Sequence, residues 1–80
     1  AVQLTVEANT ILVGHDIDYL RGNYEVTILC HEKADGTADW NPAPSSNLSV
    51  GDKLLIMTDR AGLKRLTPLS SKLVLPRDKT

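Results

Sequence analysis

Apolar and polar residues alternate at the start of the chain. Val2, Leu4 and Val6 are separated by Gln3, Thr5 and Glu7, the two-residue period of a strand with one face buried and the other in water. Asn9-Thr10 interrupts it, Ile11-Leu12-Val13 is a short apolar return, and Gly14 releases the backbone into a second turn. A short helix follows. Asp16 suits its first turn, where a carboxylate meets the positive end of the peptide dipoles; Ile17 and Leu20 face the core together, and Gly22-Asn23 ends it. Residues 24–31, YEVTILCH, are rich in β-branched side chains and place Val26, Ile28 and Cys30 on one face, with Thr27, Leu29 and His31 on the other. Both faces carry apolar groups, as in an inner strand or one whose outer face meets another subunit.

Asp35-Gly36, between two strand-like runs, predicts a hairpin, with residues 37–41 as the returning strand. Pro42 and Pro44 lack backbone donors, so that strand ends there or lies at an edge. Residues 48–66, LSVGDKLLIMTDRAGLKRL, are the stretch around which the chain is organised. Gly51-Asp52 is a turn pair, and the run Leu54, Leu55, Ile56, Met57 suits a strand covered on both faces. Thr58 or Asp59 then caps a helix that carries Leu63 and Leu66 on one face and stops at Pro68. Leu73, Val74 and Leu75 predict a short edge strand.

Composition changes this picture in two ways. A chain of 80 residues without Phe must build a thin core from Leu, Val and Ile, and domains of this size bury only about 60% of their unfolded surface, so stability is expected to lean on a partner. A formal net charge of −1 with scattered lysines and arginines lacks the basic footprint of nucleic-acid binding, so no nucleic-acid polymer is expected as a partner. The single Cys30 gives neither a disulfide nor metal-ligand spacing and fits a reducing compartment. No apolar run approaches membrane-spanning length, so no direct membrane insertion is expected. The chain begins at Ala1, and residues 1–80 are expected to be a single domain excised from a longer protein.

Candidate chemistry is sparse. His15, Asp16 and Asp18 are the one close group of possible cation ligands, too few to converge on a divalent ion unaided. Cys30, His31 and Glu32 have the residue types of a nucleophile, base and orienter, but neighbours on a strand point to opposite faces. Five glycines stand singly and form no phosphate-cradling loop. Trp40 beside Pro42 and Pro44 reads as a core or interface anchor, or as one wall of a stacking pocket. No acid–base or nucleophile pair survives, so the chain is not expected to be an enzyme and no cofactor is expected.

The segment NPAPSSNLSV followed by GDKLLIMTDRAGLKRL resembles the TrkA-C domain, the C-terminal subdomain of the proteins that regulate the conductance of potassium. Pro44, Leu48, Gly51, Asp52, Leu54, Leu55, Ile56, Met57, Leu63 and Leu66 match in order and spacing. Upstream, Val13-Gly14 with Ile17 and Leu20 is similar to the head of the family's first helix, and YEVTIL to its second strand. The resemblance implies an α+β fold, a small mixed, mainly antiparallel sheet of about four strands with two short helices, pairing with its twin across helix and strand faces. It implies a regulatory, ligand-sensing and dimerisation domain of a potassium channel or transporter, at the cytoplasmic face of the membrane and attached to a Rossmann-like or membrane transport domain. A small anionic ligand such as a cyclic dinucleotide would sit at the homodimer interface, with Arg21, Thr27, Ile28 and Pro44 in the ligand-binding roles. The acidic position of that ligand motif is taken here by Tyr19, with Asp18 one place out of register. Two other readings stand beside this one: a structural dimerisation module without ligand, and a divalent-cation sensor using His15, Asp16 and Asp18.

Overall fold

The computed structural model describes residues 1–69 and Leu73. In chain order the elements are strand β1 (Val2–Thr5), helix α1 (Ile17–Tyr24), strands β2 (Thr27–Glu32), β3 (Ala38–Trp40) and β4 (Lys53–Met57), helix α2 (Arg60–Leu66) and a closing 3-10 turn (Thr67–Leu69). The strands form one four-stranded sheet in the order β1-β4-β2-β3, and every pairing is antiparallel. This is the expected α+β architecture, with β4 and β2 inside and β3 at the edge ahead of Pro42 and Pro44. The edge strand expected at residues 73–75 lies outside the described residues except for Leu73, which packs partly buried against the core.

One face of the sheet is dry. Leu4, Leu54, Ile56 and Ile28 project from it into a cluster completed by Ile17 and Leu20 of α1, Leu66 of α2, and Leu12, Leu48 and Leu69 from the connections. Burying each such side chain contributes about 1.5–3 kcal/mol relative to leaving it exposed. Among the described residues nothing packs over the other face. Leu55 is half-buried and Met57 is 56% exposed, so the expectation that residues 54–57 are covered on both faces is corrected: within one chain the two helices cover a single side.

The face assignment of β2 also differs from simple alternation. Ile28 pairs with Ile56, but Cys30 pairs with Leu55 and His31 with Leu54, a register shift that leaves Leu29 as an extra residue in a β-bulge. A bulge resets the two-residue period. Cys30 therefore leaves the face of Ile28 for the open side, and His31 turns inward, where it is fully buried.

Helix α1 runs past its expected end at Gly22-Asn23. Asn23 donates through Nδ2 to the Tyr19 carbonyl at 2.9 Å, and the chain leaves the helix only at Glu25, whose φ of 55° is left-handed and whose N–H donates to the Arg21 carbonyl. Arg65 of α2 donates through Nε to the Tyr24 carbonyl at 3.2 Å, satisfying a group that a helix end otherwise leaves open. Asp59, one of the two expected caps of α2, accepts from the Gly62 N–H at 2.8 Å.

Candidate functional site

The turn at Gly51-Asp52 fixes everything around it. Gly51 has φ +94°, and a Cβ there would lie 3.1 Å from the Ala34 Cβ, so glycine is required both by conformation and by the close approach of the β2–β3 hairpin. Asp52 is buried. Its Oδ2 accepts from His31 Nε2 at 2.6 Å and from the Ser49 N–H at 3.0 Å, and its Oδ1 accepts from the Ala34 N–H at 3.1 Å. One carboxylate thus ties β2, the β2–β3 hairpin and the loop before β4. On the far side of the imidazole, Ser46 Oγ lies 3.4 Å from His31 Nδ1. The tautomer carrying its proton on Nε2 satisfies both contacts: the ring donates to Asp52 and accepts from the Ser46 hydroxyl.

Ser46, His31 and Asp52 are the residue types of a hydrolytic triad. Here the imidazole has no exposed surface, and neither of the two described concavities is lined by Ser46 or His31, so the arrangement works as a tie between loops. Sequence reasoning missed it. His31 was assigned to a strand face that the bulge reverses, and Asp52 read only as half of a turn.

The segment that carries Ser46 is strapped to the start of α1. The Ile17 N–H donates to the Ser46 carbonyl at 3.0 Å and the Asp18 N–H to the Pro44 carbonyl at 2.9 Å, while Leu48 and His15, and Gly14 and Leu48, are bonded through their backbones. Asp16, the N-cap, accepts from the Tyr19 N–H at 2.9 Å. Side chain and loop together satisfy orphan donors of the first turn of α1.

Each expected ligand residue can be placed on this frame. Pro44 is exposed and held by its carbonyl to Asp18; Arg21 is exposed one helical turn further along α1. Thr27 is exposed at the head of β2, opposite Met57. The Ile28 side chain lies in the core, 5% exposed and paired with Ile56. None of the four lines either described concavity. Of the expected cation group, His15 stacks on Tyr19 with ring centroids 3.7 Å apart and Asp16 caps the helix. Among the described residues no three His, Cys, Asp or Glu side chains converge as a metal site. Tyr19 in turn meets Tyr24 edge-on at 6.4 Å, and burial, followed by Tyr19, pushes the Tyr24 hydroxyl above its usual range. Among the described residues no helix is long and apolar enough to cross a membrane.

No protein-family model and no curated protein matches the sequence, but solved structures match the fold. The RCK_C domain dimer of S. agalactiae BusR in complex with c-di-AMP superposes with a TM-score of 0.73 at 20% identity, over 84% of this chain and 90% of that one. S. agalactiae BusR in complex with its busAB-promotor DNA gives 0.72 at 22% identity, over 84% of this chain and 33% of that one. The GsuK channel gives 0.68 at 20% identity, over 86% of this chain and 13% of that one. The chain thus spans about nine-tenths of the BusR RCK_C domain's length and a minor part of the longer proteins. Its fold is that of the RCK C-terminal domain.

Proposed function

Starting from the RCK C-terminal fold, we propose that this chain is a regulatory module that dimerises and senses a small anionic ligand, a cyclic dinucleotide by chemical class, on behalf of a larger protein of potassium transport. The observation that carries the reading is the likeness over 90% of the length of a domain that forms a dimer with c-di-AMP. The likeness to the GsuK channel and its RCK domain supports the transport setting and, with it, a place at the cytoplasmic face. BusR also occurs in complex with DNA, yet this chain spans about a third of that protein and carries a net charge of −1, which favours a ligand-sensing role over a direct contact with nucleic acid.

A two-fold axis presents the same cation and the same loop twice, which suits a ligand with matched anionic halves. Arg21 supplies the charge and the exposed Pro44 and Thr27 supply the remaining contacts, while Ile28, whose side chain lies in the core, supports the strand behind them. Preferential binding to one dimer geometry would bias the attached protein by the difference in affinity between its states. Chemistry is not part of the proposed role, since the Ser46–His31–Asp52 group is closed to substrate.

Thermal melting of the chain with c-di-AMP, with other cyclic dinucleotides and with calcium or magnesium tests this. A ligand at 100 times its dissociation constant stabilises by about 2.7 kcal/mol, a shift of more than about 10 °C in so small a domain. Arg21→Ala should remove most of a cyclic-dinucleotide shift while leaving the unliganded melting temperature unchanged. A shift with divalent cations alone, or none with any cyclic dinucleotide, overturns the ligand assignment.

A further inference from the structure

We infer that Ser46 is a positioning residue for the ligand: anchored to the buried His31–Asp52 pair, it sets the tilt of the turn that presents Pro44. This role rests on the ligand sensing proposed above, and it belongs to a side chain outside the four ligand positions.

Residues 43–46 form a β-turn closed by the Ser46 N–H, which donates to the Ala43 carbonyl at 3.0 Å. Pro44 takes the second position, where its fixed φ suits the turn, and it is exposed. Ser46, the last residue of the turn, spends its three polar groups on three different elements. Its N–H closes the turn, its carbonyl accepts from the Ile17 N–H of α1 at 3.0 Å, and its hydroxyl meets His31 Nδ1 of β2 at 3.4 Å. Those two elements carry the other exposed ligand positions: Arg21 lies one helical turn beyond Ile17 on α1, and Thr27 begins β2. One half-buried serine is therefore the joint at which Arg21, Thr27 and Pro44 acquire fixed places relative to one another.

The backbone bonds do not fix the turn by themselves. Ile17 and Asp18 donate to Ser46 and Pro44 from adjacent positions of one helix, and two neighbouring bonds leave the turn able to tilt about the line that joins them. A third bond from a different direction removes that freedom. His31 supplies it from the sheet, and Asp52 fixes the imidazole. With Nε2–H donated to the carboxylate at 2.6 Å, the Nδ1 lone pair faces Ser46, and the anion behind the ring strengthens Nδ1 as an acceptor. Stability has little stake in this last link. At 3.4 Å it is long for a hydrogen bond, and the loop is pinned on either side by the buried Pro42 and Leu48. What it governs is the tilt of Pro44 toward Arg21, and a binding group must be held within about 0.5 Å of its productive place.

Isothermal titration of c-di-AMP well below the melting temperature, where circular dichroism verifies that each variant is folded, separates positioning from stability. Ser46→Ala should leave the unliganded melting temperature within about 4 °C of the parent. It should nevertheless weaken c-di-AMP about tenfold, since a loss of about threefold per copy, at the low end for a neutral hydrogen bond, is incurred twice at a two-fold site. Ser46→Thr, which keeps the hydroxyl, should restore most of the affinity. In a Pro44→Ala background Ser46→Ala should cost less than about twofold, because the group it positions is already gone. Should Ser46→Ala fail to fold, Ser46→Cys, of nearly the same size with a weaker donor, carries the same comparison. Parent affinity retained without the hydroxyl, or a loss just as large in the Pro44→Ala background, overturns the positioning role while the ligand reading stands. A parent that binds neither c-di-AMP nor any other cyclic dinucleotide overturns both.

Discussion

Asp52→Ala should be among the most damaging single changes in this chain. The substitution removes the acceptor of three bonds, to His31 Nε2 and to the Ser49 and Ala34 N–H groups, and strands the inner nitrogen of an imidazole that has no access to water. Hydrogen bonds to charged groups contribute about 1.5–3 kcal/mol each, and a buried donor left without its acceptor costs about 1–3 kcal/mol. A chain of 80 residues has a total stability of roughly 4–12 kcal/mol, so the loss is a large part of the whole. At about 4–8 °C per kcal/mol for a domain this small, the melting temperature should fall by more than about 12 °C. Asp52→Asn should cost less, about 1–2 kcal/mol: its carbonyl still accepts from a loop N–H, and the imidazole can turn its proton to Nδ1 and donate to Ser46. Urea and thermal unfolding at matched protein concentration measure both, and a cycle with His31→Leu should give a coupling of about 1.5 kcal/mol or more. An Asp52→Ala loss below about 1 kcal/mol, or Asn costing more than Ala, would refute the argument that this carboxylate organises the loops.

Three further outcomes follow from the same geometry. Gly51→Ala should destabilise by about 1–2 kcal/mol in denaturant melts, since alanine is strained at φ +94° and its Cβ would press on Ala34; Gly36→Ala, with similar φ but open space around it, should cost less. Gly62→Ala would ordinarily favour a helix by about 1 kcal/mol, but the added methyl collides with the Thr58 hydroxyl, so the sign should be unfavourable and should reverse when combined with Thr58→Ala. Asp35 accepts from the Thr37 N–H at 2.9 Å, chiefly for which reason its carboxyl titrates below the ordinary 3.8. A depressed folded value means that its stabilisation is fully present above pH 3.8 and is lost as pH falls through the lower folded value. The low-pH limb of a melting-temperature profile should therefore be shallower in Asp35→Ala than in the parent.

What was legible in the sequence is what local patterns decide. The alternation of residues 2–7, the Asp35-Gly36 hairpin, the prolines ending β3 and the Gly51-Asp52 turn each rest on a few neighbouring residues, and each is in place. The end of α1 was not legible, because Gly22 and Asn23 are kept helical by Arg65 from α2 and by the left-handed Glu25 beyond them. Coverage of β4 was not legible either: four apolar residues in a row state that both faces are apolar, not that one chain covers both. Of the site, the exposed positions Arg21 and Pro44 could be named from family pattern, while the Asp52–His31 pair, 21 residues apart in sequence, leaves no local trace.

The bulge at Leu29 is the hidden step behind both surfaces of the sheet. It sends His31 inward to Asp52 and Cys30 outward between Leu55 and Trp40, so the buried tie and the row on the other face of the sheet share one cause. Because Leu29 is the unpaired extra residue, deleting it should leave Ile28, Cys30 and His31 opposite their present partners and convert β2 into a regular strand. The cost is the Asn41 N–H bond to the Leu29 carbonyl and a half-buried leucine, about 2–3 kcal/mol together. Deleting Leu55 from β4, whose ladder with β1 is regular, instead inverts every side chain beyond it and should abolish folding. Proton spectra and denaturant melts of the two deletions compare them directly. If the Leu29 deletion unfolds the chain as completely as the Leu55 deletion, the extra residue is part of the register itself, and the assignment of the two faces must be drawn again.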